Sequence, residues 1–79
     1  MNAAQCRMAR AATGFGVREL AKAAGVSPDT VARHERGEEL RPATIAAIRS
    51  ALEAAGVIFL PENGNGPGVA LRKEAARTQ

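Results

Sequence analysis

The chain has no tryptophan and no tyrosine, and only two phenylalanines, Phe15 and Phe59. It has one cysteine, Cys6, and one histidine, His34. That pair is too small a set for a disulfide framework or a conventional zinc site, and Cys6 says nothing of an oxidising compartment. No apolar run is long enough to span a bilayer, and the N-terminus lacks the apolar stretch of a secretory signal. No membrane contact is expected, and a cytoplasmic location is. Glycines 64, 66 and 68 are not followed by Gly-Lys-Ser/Thr or by a helix, so a nucleotide-phosphate loop is excluded. One His, one Cys and carboxylates set on helix surfaces or caps make no catalytic set. No enzyme activity, metal or cofactor is expected.

What remains is small, aliphatic and slightly basic. At 79 residues the chain is one domain, near the lower size at which a single core holds unaided. Hydrophobic residues make up 46% and aromatics 3%, with alanine recurring throughout. Small side chains let helices cross closely, and a core this modest favours a dimer, which buries further apolar surface. The net charge is +3 and the pI about 10.0. Apart from Lys22 and Lys73 the cations are arginines. A planar guanidinium suits phosphate and guanine better than an ammonium does, although a basic surface bias alone has a bland explanation in solubility.

The order of elements is legible. Ala3 to Thr13 holds no Gly or Pro, and Cys6, Ala9, Ala12 and Thr13 recur on one helical face. Gly14 ends this helix and Phe15 plugs the corner. A second helix runs from about Val17 to Ala24 with Leu20, Ala21 and Ala24 inward, and stops at Gly25. Val26 turns inward. Ser27 caps a third helix, Pro28 suits its first position, and Asp29 complements the positive end of its dipole. Val31 anchors it, flanked by Ala32 or His34 and Glu35, and Gly37 ends it. A polar loop, 38–41, leads to a fourth helix from Pro42 or Ala43 to Ala55, with Ile45, Ile48 and Leu52 as its stripe and Gly56 as its stop. Val57–Leu60 and Val69–Arg72 are β-prone runs separated by turn-forming PENGNGPG, so an antiparallel hairpin is expected. Lys73 to Gln79 reads as a polar tail. There is no internal repeat. The fold class is therefore mostly α: four helices over 1–56, a hairpin over 57–72, and a tail over 73–79.

The stretch from Val17 to Arg36 has the spacing of a DNA-binding helix-turn-helix. Ala21 is small where the second helix crosses the first, Gly25 sits at the turn, and Leu20, Val26 and Val31 set the angle from below. An ordinary helical corner would need less of this set. The segment ELAKAAGVSPDTVARHERG resembles the XRE family, the helix-turn-helix regulators typified by lambdoid phage repressors and Cro. The resemblance covers roughly Gln5 to Val57 and rests on Gly25-Val26-Ser27, Thr30-Val31 and Glu35-Arg36-Gly37. It implies a compact helical domain that binds double-stranded DNA, usually as a two-fold homodimer on a palindrome.

The resemblance also implies roles. Bases would face Pro28, Asp29, Thr30 and Arg33. Arg33 can take guanine through O6 and N7; Thr30 can serve a base or a phosphate. Asp29 can accept from cytosine N4 or merely cap its helix, and Pro28 offers at most a thymine methyl contact. Phosphates would face Ser27, Arg36 and Arg41, together with the backbone N–H of Val17, where the family has glutamine. Arg18 and Lys22 join this set or are simply solvated. Arg10 and Glu35 match a family pair that ties the first helix to the third, a structural role. His34 stands where an apolar residue is common and is expected to be half-buried. Related proteins place a dimer-supporting helix where the hairpin lies, so Val57, Phe59, Val69 and Leu71, or the alternate set, are expected at a subunit interface. Two functions follow as expectations: a sequence-specific DNA-binding regulator, or a protein-interaction module such as an antitoxin or anti-activator on the same fold.

Overall fold

Asn2 opens the first helix through a reciprocal cap. Its side chain accepts the Gln5 N–H at 2.7 Å, and Gln5 Oε1 accepts the Asn2 N–H at 3.0 Å. In the computed structural model, which describes residues 1–73, this helix is α1, Ala3–Thr13. It is followed by α2, Val17–Ala24, α3, Pro28–Glu35, and α4, Pro42–Ala54. Two strands close the chain: β1, Val57–Leu60, and β2, Gly68–Leu71. Of the expected polar tail only Lys73 is included; residues 74–79 lie outside the described residues.

The helix boundaries follow local chemistry. Gly25 adopts φ 73°, a left-handed turn that lets Val26 N–H reach back to the Ala21 carbonyl at 3.0 Å. Ser27 Oγ accepts the Thr30 N–H at 3.1 Å, with Pro28 at the first helical position. α4 stops one residue short of expectation, because Ala55 is already the cap and Gly56 follows at φ 104°.

Leu20, Ile48, Leu52 and Val31 are the large side chains at the centre, with Cys6, Ala9, Ala21 and Val57 completing the core. Ala9 and Ala21 are as buried as the leucines. Their size is what lets α1 and α2 approach their neighbours, as the alanine-rich composition implies. Ala12, Thr13 and Ile45 are half-buried, not core as expected. Thr13 sits in the last turn of α1 and turns its hydroxyl back onto the carbonyls of Ala9 and Arg10, at 2.9 and 3.1 Å.

The hairpin is antiparallel, with Val57 opposite Leu71, Ile58 opposite Ala70, Phe59 opposite Val69 and Leu60 opposite Gly68. The second strand thus starts one residue earlier than expected, because pairing Val57 with Leu71 leaves Gly68 to match Leu60. Val57 is only 3% exposed, and Phe59, Val69 and Leu71 pack against the core of the same domain. The four residues expected at a subunit interface therefore face inward. The alternate face points out, with Ile58 43% and Leu60 41% exposed. An isolated two-stranded hairpin is marginal, so its inner face must be covered by helices to persist. The Arg49 guanidinium also lies 4.9 Å above the Phe59 ring, tying α4 to β1.

Gln5, which the sequence pattern did not single out, fastens the hairpin. It is 6% exposed, and its Nε2 donates to the carbonyls of Leu60 at 3.2 Å and Gly68 at 3.1 Å. Removing that amide leaves two carbonyls without its N–H donors and the Asn2 N–H without its acceptor. Gln5→Ala is expected to lower stability by about 1–3 kcal/mol. Amide exchange should accelerate over 57–60 and 68–71 more than over the helices. An equal acceleration everywhere would contradict the clamp.

Candidate nucleic-acid interface

The short segment between α2 and α3 carries the geometry. Ala21, on the second helix and 1% exposed, and Val31, on the third and fully buried, hold the two helices together at the turn. Val26 packs against the same core. This arrangement leaves the outer side of α3 open. Pro28 and Asp29 are exposed in its first turn, and Thr30 and Arg33 are half-buried beyond them.

A cleft of about 420 Å³ runs between α3 and the loop that enters α4. Val26, Ser27, Thr30, Arg33, Glu39, Leu40, Arg41 and Thr44 line it. Four of the residues singled out from the sequence, Ser27, Thr30, Arg33 and Arg41, thus meet in one place. The Ser27 and Thr30 hydroxyls lie 2.8 Å apart, so each orients the other at the mouth.

The remaining candidates are spread more widely. Arg18 and Lys22 are exposed on α2. The Val17 side chain packs against the core, which leaves its backbone N–H as its only donor. At this end of α2, Glu19 accepts the Gly16 N–H at 3.0 Å, placing a carboxylate over the helix start. Glu19 carries a capping signal legible in the sequence, an acid three residues after the residue that starts the helix. Arg36 is the C-terminal cap of α3 and its side chain is 58% exposed.

Behind this surface, α3 is braced by one ionic cluster. Arg10 Nε meets Glu35 Oε2 at 2.7 Å and Nη2 meets Oε1 at 2.9 Å, a two-pronged pair linking α1 to α3 as the resemblance implied. Arg10 Nη1 also donates to the Phe15 carbonyl at 3.3 Å, so the same side chain holds the α1–α2 corner. Arg7 Nη1 donates to the Glu35 backbone carbonyl. The Cys6 thiol donates to Glu35 Oε2 at 3.3 Å; burial first, and then this carboxylate, pushes its pKa up to about 12. Cys6 is therefore a neutral donor and not a nucleophile. Burial opposes ionisation of Glu35, but hydrogen bonds from Arg10 and Cys6 outweigh it and hold the carboxyl below its usual range.

His34 is 5% exposed, more deeply set than the half-burial expected of it. It is the inward residue one turn after Val31, and its Nε2 is buried without a hydrogen-bond partner. Burial lowers its pKa, keeping the ring neutral. Among the described residues no group of three or more His, Cys, Asp or Glu is arranged to hold a metal ion. No helix among them is long and apolar enough to cross a membrane.

A search among curated proteins gave no match. Against family models, residues 3–57 match the helix-turn-helix domain, which spans all four helices and the turn at Gly25. With its two-helix corner, braced third helix and open outer face, the chain belongs to the helix-turn-helix domain family of XRE-like regulators.

Proposed function

We propose that the protein is a sequence-specific DNA-binding transcriptional regulator that lays α3 in the major groove. The observation that carries this reading is the convergence of Thr30, Arg33, Ser27 and Arg41 on one open cleft beside the second helix of a helix-turn-helix. In that pose Arg33 reads guanine, with Thr30 and Asp29 beside it and Pro28 against a thymine methyl. Ser27 and Arg41 hold phosphates, Arg36 joins them through its remaining Nη1, and Arg18, Lys22 and the Val17 N–H at the start of α2 help. An eight-residue recognition helix reads few base pairs. Two copies on a palindrome would double the contacts, and Ile58 and Leu60 on the outer hairpin face are the apolar surface open to such pairing. Light scattering that shows only monomer at high micromolar concentration would remove the dimer and leave the rest standing.

Selection of bound duplexes from a random pool tests the reading directly. The expected product is a palindrome with guanine in each half-site. Affinity should fall steeply with salt, the logarithmic slope changing by about 0.9 for each phosphate neutralised. Arg33→Ala should cost about 1–3 kcal/mol on the selected duplex and relax the guanine preference. Binding that ignores both salt and Arg33→Ala would rule out DNA reading by α3 and favour a protein-interaction module.

A further inference from the structure

The end of α3 folds back on itself. Gly37 takes φ 88°, its N–H bonds the His34 carbonyl at 3.0 Å, and the Glu38 N–H bonds the Arg33 carbonyl at 3.1 Å. This reversal needs a residue that tolerates a left-handed backbone, and it places Glu38 directly over the last turn. Its carboxylate then spans two arginines. Oε1 accepts from Arg33 Nε at 3.1 Å, while Oε2 accepts from Arg36 Nε at 3.1 Å and from Arg36 Nη2 at 2.9 Å. Backbone and side chain together therefore fix Glu38 between the proposed base-reading cation, Arg33, and a proposed phosphate-binding one, Arg36.

The two arginines are held differently. On Arg33 only Nε–H is engaged, which leaves both terminal nitrogens free to project toward a base edge. On Arg36 both N–H groups of one edge converge on a single oxygen, and that edge is the fork that grips a phosphate side-on. Hydrogen bonds from Arg33 first and Arg36 second hold the Glu38 carboxyl below its usual range, so the bridge stays charged at neutral pH.

We infer that Glu38 is a specificity-determining residue: it aims Arg33 at a base edge while occupying the phosphate-gripping edge of Arg36. The inference rests on the DNA-binding reading above. Non-specific binding draws almost wholly on phosphate contacts, and those are what the bridge suppresses. Specific binding draws on the base contact, and that is what the bridge supports. Glu38 is thus a positioning residue that need not touch DNA itself. In the sequence Glu38 is only an acid directly after a helix-ending glycine; its two partners follow from the turn at Gly37.

The test compares two duplexes of equal length and composition, the selected site and a scrambled version, at one fixed salt concentration. Glu38→Gln keeps the shape and removes the charge. Glu53→Gln removes the same charge from the exposed face of α4, outside the cleft, and serves as the control. For Glu38→Gln the ratio of scrambled to selected dissociation constants should fall about three- to tenfold, chiefly through tighter binding of the scrambled duplex, with a weaker guanine preference. Glu53→Gln should tighten both duplexes alike and keep the ratio. The melting temperature of Glu38→Gln should match the wild type, since the residue is exposed. An unchanged or larger ratio in Glu38→Gln, or equal behaviour of the two variants, would overturn the inference while leaving DNA binding intact. Failure of the wild-type protein to bind any duplex would instead remove the DNA reading itself.

Discussion

Glu35→Ala should lower the unfolding free energy by about 3–5 kcal/mol, because it strands the Arg10 charge at a site where only a quarter of that side chain is exposed. The same carboxylate accepts from Cys6, so a second buried donor loses its partner. A domain this small has little in reserve, and each kcal/mol moves its melting temperature by roughly 4–8 °C. Most of the stability should go. The contrast is with Glu53→Ala, which breaks the exposed Arg49–Glu53 pair at 3.2 Å and should shift melting little. Replacing both partners, Arg10→Met with Glu35→Leu, should be milder than Glu35→Ala alone, since no buried charge is then left unpaired. Equal losses in Glu35→Ala and Glu53→Ala would contradict the brace.

Acid should act in the same direction. The folded value of Glu35 lies below its ordinary 4.5, so its contribution is complete above about pH 4.5 and is lost as pH falls through the folded value. The folded value of His34 lies below its ordinary 6.5. Unfolded chains bind that proton first, so stability drains as pH drops below about 6.5. Chemical unfolding followed from pH 8 to pH 3 should therefore show a decline in two stages. Glu35→Ala should flatten the lower stage. His34→Asn, which cannot take up that proton, should flatten the upper one.

The second large effect belongs to Leu20. Leu20→Ala should cost about 2–5 kcal/mol, from lost transfer energy and the cavity left behind. Leu20 is fully buried, on the first helix of the helix-turn-helix. Among the described residues the buried core sets Ile48, Leu52, Val31 and Val57 beside Leu20, and its other members are Cys6, Ala9 and Ala21. Neighbours that small cannot swing in to refill the space. The loss should appear in the urea midpoint with the slope unchanged, and Leu20→Met should cost less than about 1.5 kcal/mol. A Leu20→Ala loss below about 1 kcal/mol would mean that the helices close over the gap. Because Leu20 shares one core with Val31 of α3, duplex binding should weaken beyond what the unfolded fraction explains.

Most of the helical frame was open to reading because its signals are local. Ser27 and Pro28 start α3 within a single turn, and Gly25 and Gly37 stop helices at positions where the backbone turns left-handed. The pairing of Arg10 with Glu35 was also anticipated, though through resemblance and not through any local rule. The hairpin shows the limit. Alternation along VIFL and GVAL says that one face is apolar and packed, but both faces carry aliphatic side chains. Either set could have faced the helices, and parity alone cannot choose between them.

The choice was made by shape. Val57, Phe59, Val69 and Leu71 fit against the helical core, and Ile58 and Leu60 were left outside. Gln5 belongs to the same class of decision. Its role depends on carbonyls 55 and 63 positions away in the chain, at Leu60 and Gly68. Glu38 does as well: its charge is plain in the sequence, but its grip on both Arg33 and Arg36 exists only once Gly37 has turned the chain back. Sequence alone therefore determined the four helices and the turn between α2 and α3, because capping, glycine turns and helical periodicity act within a few residues; the residues proposed to meet DNA rest on the family resemblance. Tertiary structure alone decided which face of the hairpin is buried, which polar side chain fastens it, and which acid governs the arginines, because those outcomes depend on which distant surfaces meet.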